Sequence, residues 1–533
     1  MANKNIRSLS YRKELKENLF EQIANKASSE TDLKQIAKDF LIDESVVYGT
    51  SSFYDFTKNT GKKIHVCNGT ACMVARTQND LSSEVEKHFS KDEIGHAACI
   101  GHCHTNSAFL YNDKTFSGST AEELETILKT NPESNNEYEV QAFGTPILTG
   151  DIPNLENFYS LAQKQHDKAA AIEQLKISNL RGRGGAGFPF WFKLDAVYKE
   201  DNEQKYIVCN ADEGDPGAYS DMYLLEKQPH KVLFGMYMAG LCVGANTGVL
   251  YIRGEYPESV RIMEHAIEEF YAIQGNSDFR FKVIKGQGSY VCGEETALLS
   301  SIEGMRPEVR VRPPYPAQYG LYGKPTVLSN VETFANVHWI LENGGDAYAS
   351  IGTAKSTGTK LISLDSYFNR PGMYELDMGT PMMDVIEKAG KGFKSDVKAL
   401  QVGGPLGGII PVHKMEELTL DFESLQQNNF LLGHASFVSI PQDYPMIDYL
   451  EHLLKFTADE SCGKCYPCRI GAFRGYEMIG KSKEGSYKID KELFDDLLET
   501  LEIGSLCALG GGVPLPIKNA LHYFETELKE YFN

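Results

Sequence analysis

The stretch Gln204–Tyr219, QKYIVCNADEGDPGAY, decides how this chain is read. Its apolar, β-branched half, QKYIVCN, predicts a buried strand. The strand opens into Asn210, Asp212, Glu213 and Asp215, which places polar side chains at its carboxyl end, where α/β sheets bind ligands. A solvated acidic turn is the alternative. Two further runs, TGVLYIRGEY (247–256) and FRFKVIKG (279–286), alternate with helical segments over roughly residues 145–345, the rhythm of an α/β core.

Upstream lies RGRGGAGFP (181–189), in which Gly182, Gly184 and Gly187 satisfy G-x-G-x-x-G. A dinucleotide-binding turn should follow a buried strand, yet AAAIEQLKISNL before it reads as a helix, so the simple Rossmann assignment fails. Gly185 completes four glycines near Arg181, Arg183 and Lys193. They suit close backbone approach to a phosphate or flat ring, or else a structural turn. Downstream, SYVCGEETALL (289–299) presents Gly293, Glu294 and Glu295. RPEVRVRPPYPAQYGLYGKPT (306–326) concentrates Arg306, Arg310, Arg312, Lys324, Tyr315 and Tyr319, a positive patch suited to an anionic ligand or a charged surface.

Of 11 cysteines, Cys462, Cys465 and Cys468 form C-x2-C-x2-C, and Cys507 follows. Three thiolates on one tight loop plus one distant thiolate suit a [4Fe–4S] cubane, with four-thiolate zinc as the rival. Cys67-x4-Cys72 and Cys99-x3-Cys103 supply two ligand pairs for a [2Fe–2S] rhomb, with glycines Gly69 and Gly101 allowing the backbone to bend. His96, His102 and His104 crowd the same region; a mixed His/Cys zinc site is the rival, and the histidines are otherwise solvent-facing or tuning groups. Cys209, Cys242 and Cys292 sit singly in apolar runs and read as buried, inert thiols.

The chain divides as follows: a helical lead-in (1–60), a compact α/β unit (61–130), a polar linker (131–144), the α/β core (145–345), a small β-rich module (346–420) and a helical C-terminal region (421–533). Within the linker region, KTNPESNNEYE (129–139) lacks periodicity. With 42% apolar and 24% charged residues the composition is that of a soluble globular chain. Its 53 basic against 73 acidic residues, a net charge of −20, oppose general binding to nucleic acid or anionic lipid. The polar N-terminus lacks a signal-peptide pattern and no long apolar run occurs, so a cytoplasmic chain without membrane insertion is expected. Clustered thiols in a reducing compartment then suggest metal or catalysis more than disulfides.

Together RGRGGAGFP, CNADEGDPG, YIRGEY, YVCGEETALL, GKPT…NVET and ESCGKC…CRIG resemble the flavoprotein subunit of NADH dehydrogenases. That family includes the NADH-oxidising subunit of complex I and the diaphorase subunits of NAD-linked formate dehydrogenases and hydrogenases. VVYGTSSFYDF and the four N-terminal cysteines resemble the thioredoxin-like [2Fe–2S] subunit that accompanies it, here fused. The resemblance implies an α/β multidomain fold with a thioredoxin-like unit, an FMN domain, a ubiquitin-like or SLBB-like module and a helical [4Fe–4S] bundle. By motif, FMN falls to Gly182, Arg183, Gly184, Gly185, Lys193, Asn210, Asp212, Glu213, Gly293, Glu294, Glu295 and Asn330. NAD(H) falls to Phe188, Asp215, Tyr290, Glu295, Arg312 and Tyr315. GFPFWFK for the usual GFPTGLK, Asp215 for glutamate and SNVET for NNVET depart from the pattern and put individual nicotinamide contacts in question.

Hydride transfer between NAD(H) and FMN, then single electrons to the clusters, needs no catalytic side chain. The expected partner is the catalytic subunit of a redox complex. A molybdenum formate dehydrogenase comes first, with a hydrogenase (bifurcating or not) or complex I as alternatives. A non-redox, zinc-holding scaffold is the alternative of another class.

Overall fold

The structure, a computed structural model, describes residues 13–533 apart from 58, 59, 119, 135, 166, 276 and 486. The first part of the expected helical lead-in, residues 1–12, lies outside the described residues. Helices Leu19–Lys26, Glu30–Phe40 and Glu44–Ser51 follow, each started by a side-chain cap: Asn18, Ser29 and Asp43 accept from the backbone N–H of Glu21, Asp32 and Ser45. Their apolar stripes meet in one cluster, and Asn18 Nδ2 donates to the Ile302 carbonyl at 2.7 Å, seating the lead-in on the α/β core.

Strands β1 (Ile64–Cys67), β2 (Ile94–Ala97), β3 (Ala108–Tyr111) and β4 (Lys114–Ser117) form a sheet of order β2-β1-β3-β4. β5 (Glu139–Ala142) revises the expected linker over 131–144, because it pairs in parallel with a strand of the β-rich module. Its sequence, EVQA, lies at a sheet edge and is mostly exposed, so it carries none of the apolar alternation that marks a half-buried strand.

The central sheet holds β6 (Tyr206–Ala211), β7 (Thr247–Ile252), β8 (Arg280–Lys285) and β9 (Thr326–Asn330) in the order β8-β7-β6-β9, all parallel. β6, β7 and β9 are near-continuous buried runs, as expected of a parallel sheet covered on both faces. Helices Pro229–Val243 and Val331–Asn343 pack tightly on it. At Gly235 a Cβ would come within 2.0 Å of the Phe334 carbonyl oxygen, so only glycine permits this approach.

The third sheet comprises β10 (Thr359–Leu364), β11 (Gly372–Asp377), β12 (Val397–Val402), β13 (Gly408–Pro411) and β14 (Ser436–Pro441), with β5 at its edge, in the order β13-β12-β14-β10-β11-β5. β14 lies inside the segment expected to be helical, so the β-rich module runs past the boundary set at 420. Its parallel pairing with β10 is long-range, and no hairpin turn announces it. Helices Met446–Asp459, Ala472–Lys483, Lys491–Gly504 and Pro514–Tyr523 complete the chain. Among the described residues no helix is long and apolar enough to cross a membrane.

Candidate functional site

β6 leads through β7 to β8 on one side, while β9 lies on the other, so the strand order reverses between β6 and β9. A parallel sheet leaves a crevice at the carboxyl ends of two such strands. Asn210 and Asn330 stand opposite each other there. Asn210 Nδ2 donates to the Gly293 carbonyl at 2.8 Å, tying the SYVCGEE loop to the end of β6. Asn330 caps the helix after β9, accepting from the Glu332 N–H at 2.9 Å, and donates to Asp221 Oδ2 at 2.6 Å. The glycine loop approaches so closely that a Cβ on Gly184 would lie 2.8 Å from the Asn330 Cβ, while Gly185, at φ +119°, has open space beside it.

These loops share a further property: they hold buried polar atoms without a hydrogen-bond partner. Asp212 Oδ2, Glu294 Oε1, and Nε and Nη1 of Arg183 are such atoms. Each unpaired buried group costs about 1–3 kcal/mol, so their concentration beside an open glycine turn marks a place for a ligand carrying both donors and acceptors. FMN, with ring amides, ribityl hydroxyls and a phosphate, has that donor set. Glu294 Oε2 is already engaged as the cap of helix Glu295–Ile302, accepting from Thr296 N and Ala297 N at 2.9 Å, which orients the free oxygen. Burial pushes the Asp212 carboxyl well above its ordinary range.

At the rim, Glu295 accepts from Arg312 Nη1 at 2.6 Å and faces Lys193 Nζ at 3.4 Å, while Lys193 also donates to the Leu328 carbonyl at 2.9 Å. Phe188 and Tyr315 are 45% and 54% exposed, large aromatic faces that the chain leaves uncovered. Tyr290 donates to Asp215 Oδ1 at 2.8 Å, and its backbone N–H donates to Glu460 at 2.8 Å, just ahead of the Cys462 loop. Arg310 and Arg306 of the basic loop are occupied structurally, by Glu303 at 2.6 Å and by the Cys462 carbonyl at 3.2 Å.

Residues that sequence reasoning missed come from the β-rich module. His434 reaches Glu213 at 3.4 Å and Asp221 at 3.8 Å, a buried triad under the crevice. Glu213 also accepts from Ser220 Oγ, Asp221 N, Met222 N and Tyr256 OH. Gly433 bridges Gly185, and a Cβ on Gly404 would lie 2.5 Å from Asp215 Cγ. Burial works against the His434 charge, but Asp221, Glu213 and Asp215 outweigh it and lift the imidazole from 6.5 to about 9. A raised folded-state value stabilises fully below the unfolded one. The stability that wild type holds over His434→Gln is therefore expected to be complete below pH 6.5 and to fade as pH rises through about 9. Denaturation profiles of both proteins at pH 6 and 9.5 check this; a pH-independent difference refutes it.

All 11 cysteines are free. Cys67, Cys72, Cys99 and Cys103 converge in the interior, with the Cys99 and Cys103 sulfurs 3.5 Å apart. Hydrogen bonds from Cys103 and Cys67, with the Arg253 charge, push the Cys99 thiol well down, while the same sulfur contacts together with burial push Cys67 and Cys103 up. His96 is exposed, but His102 and His104 are buried, contrary to a solvent-facing role, and burial pushes them down to about 4 and 3. In the C-terminal region Cys462 and Cys468 are buried against Val291, Ala297 and Leu509, with Cys465 and Cys507 packed on them, so this quartet adjoins the SYVCGEE loop. Cys209, Cys242 and Cys292 are buried within cores, as single thiols in apolar runs should be. Among the described residues, the one group of three metal-type ligands gathered within 4.8 Å is Glu213, Asp221 and His434, not a cysteine quartet.

Three family models match: a thioredoxin-like [2Fe-2S] ferredoxin at residues 19–131, the Nuo51 FMN-binding domain at 175–339, and the NADH-ubiquinone oxidoreductase-F iron-sulfur binding region at 448–531. The first of them takes in the helical lead-in together with the compact unit. The NADP-reducing hydrogenase subunit HndC of Solidesulfovibrio fructosivorans is 40% identical over 68% of this chain and 76% of its own length. The mitochondrial NADH dehydrogenase (ubiquinone) flavoprotein 1 of Dictyostelium discoideum is 35% identical over 67% of this chain and 78% of its own. Among solved structures, an NAD+-reducing [NiFe]-hydrogenase in the H2-reduced state matches with TM-score 0.88 and 27% identity, over 97% of this chain and 92% of that one. These matches set aside the zinc scaffold and show FMN, [4Fe–4S] and [2Fe–2S] domains with NADH as substrate. A flavin-type crevice at the sheet's switch point, flanked by two cysteine quartets, is thus what the relatives' domains lead one to expect, and the chain belongs to the NADH dehydrogenase flavoprotein family of oxidoreductases, with a thioredoxin-like [2Fe–2S] domain fused at its N-terminus.

Proposed function

We propose that this chain is the NADH-oxidising electron-transfer subunit of an NAD-linked hydrogenase. The observation that carries this reading is the likeness to the NAD+-reducing [NiFe]-hydrogenase over 97% of the chain, the N-terminal [2Fe–2S] unit included. The formate dehydrogenase partner expected from the sequence has no comparable support. In this reading Gly182–Gly185, Lys193, Asn210, Asp212, Glu213, Gly293–Glu295 and Asn330 hold FMN. Phe188, Asp215, Tyr290, Glu295, Arg312 and Tyr315 receive NADH. Bound FMN supplies exchange between two-electron and one-electron chemistry, and the clusters supply one-electron carriers.

The chain's own residues then bind, orient and exclude water. Gly184 lets the loop close on Asn330 and Gly185 leaves room for a planar ring against the backbone, Phe188 and Tyr315 offer faces to the dinucleotide's rings, and Glu295, held by Arg312 and Lys193, is placed to accept from ribose hydroxyls. Around the C-terminal quartet Tyr466, Ile470, Phe473 and Ile503 are exposed, an apolar surface of the kind a partner subunit covers.

Glu295→Gln and Tyr315→Ala are expected to raise KM for NADH in ferricyanide reduction by roughly 10- to 100-fold with FMN still bound. Unchanged kinetics in both variants would overturn the pocket. Metal analysis of the co-purified catalytic subunit separates the partners: nickel supports the hydrogenase, molybdenum the formate dehydrogenase.

A further inference from the structure

Arg253 follows β7 directly. Its backbone N–H donates to the Ala211 carbonyl at 3.2 Å, which sets it beside the end of β6. The side chain is 2% exposed and reaches two loops at once. Nη2 donates to the carbonyl of Cys99 at 2.8 Å, Nη1 donates to the carbonyl of Glu213, and Nε donates to Glu255 Oε2 at 3.2 Å. Neighbouring segments are close-packed across the same boundary. A Cβ on Gly101 would lie 3.0 Å from Met222 Sδ and from the Tyr256 ring, and one on Gly69 would lie 3.4 Å from Pro216 Cβ. One guanidinium therefore joins the peptide of a cysteine in the N-terminal quartet to the peptide of a residue in the crevice, in a place closed to water.

We propose that Arg253 is a positioning residue that locks the [2Fe–2S] loop to the flavin loop and, as a buried cation, raises the reduction potential of the N-terminal cluster, with Glu255 partly offsetting it. The proposal rests on reading the two sites as above. Its physical basis is twofold. A planar guanidinium spreads its donors over a fork and reaches two carbonyls and a carboxylate that lie apart, whereas an ammonium gathers its three donors at a single point. A charge in a medium of low polarity acts over several ångströms on a neighbouring redox centre, whose potential follows local net charge and hydrogen bonding. Glu255 is itself 4% exposed, so removing either partner changes the local charge by one in opposite senses.

The test uses the full chain purified with its cofactors, in wild type and as Arg253→Gln, Arg253→Lys and Glu255→Gln. Redox titration of the [2Fe–2S] EPR signal gives the potential, and flavin release gives FMN affinity. The potential is expected to fall in Arg253→Gln, to rise in Glu255→Gln and to stay near wild type in Arg253→Lys. FMN is expected to bind several-fold more weakly in both Arg253 variants, since the fork to Glu213 is lost in each. A merely structural role lowers cluster occupancy without shifting potentials in opposite directions. Should Arg253→Gln fail to fold, the other two variants carry the test. Equal potentials in every variant that shows the signal, or shifts of one sign, overturn the proposal. Absence of the signal from wild type overturns the reading of the quartet, and the proposal with it.

Discussion

Cys468→Ser is expected to strip the chain of its [4Fe–4S] cluster: iron content falls by about four atoms per chain and the cluster's EPR signal disappears. The reason is local. Cys468 lies in the short π-helical turn Pro467–Gly471, 4% exposed, with Ser461 Oγ 3.4 Å from its sulfur. A Cβ on Gly510 would lie 2.6 Å from the Cys468 Cβ, so the neighbouring backbone already touches it and no other side chain can swing in to replace the lost thiolate. FMN content, which depends on the loops after β6 and β9, is expected to persist. Delivery of electrons to the partner subunit is expected to drop at least on the order of 100-fold, since losing only a hydrogen-bond partner of a ligand already costs about 10- to 100-fold at other metal sites. Unchanged iron content would refute the assignment of Cys468.

The second large effect is on stability. Lys360 of β10 and Glu332, in the first turn of the helix after β9, form an ion pair in which both side chains are 0% exposed. Glu332 Oε1 also accepts from the Leu361 N–H at 3.2 Å, so the pair fastens the β-rich module to the end of β9, two residues from Asn330. Lys360→Met leaves a carboxylate buried and unpaired, which costs about 3–5 kcal/mol. The double variant Lys360→Met/Glu332→Leu removes both charges and is expected to recover most of that loss. Denaturant unfolding followed by flavin fluorescence measures both, and FMN release is expected to accompany the first transition in the single variant. A single variant as stable as wild type would show that the pair contributes nothing.

Much of the site was legible because its chemistry is local. The spacing of Cys462, Cys465 and Cys468 places three thiols on one turn, and QKYIVCN followed by acidic residues put a ligand site at a strand's end before any fold was known. β9 was harder: TVLSN is five residues long and lies between motif loops, too short for periodicity to reveal. β5 and β14 escaped for the opposite reasons, one being polar at an edge and the other apolar but paired at long range. His102 and His104 were misjudged because polarity predicts exposure on average. Here the loop that carries them is covered by Tyr138 and Tyr219.

By itself, then, the sequence carried the family's motifs: eight cysteines in two patterns of the kind that hold clusters, a glycine loop and acidic turns in the order of a known family. Those patterns depend on residues a few positions apart, where chain connectivity alone dictates geometry. The tertiary structure decided what surrounds them. It brought His434 from the third sheet beneath Glu213 and Asp221, closed Gly404 onto Asp215, and set the Arg253 fork between Cys99 and Glu213. Each joins residues far apart in the chain, and burial supplies their strength. A charge or hydrogen bond acts strongly once folding has removed the water around it, and no local pattern of residues records where that will happen.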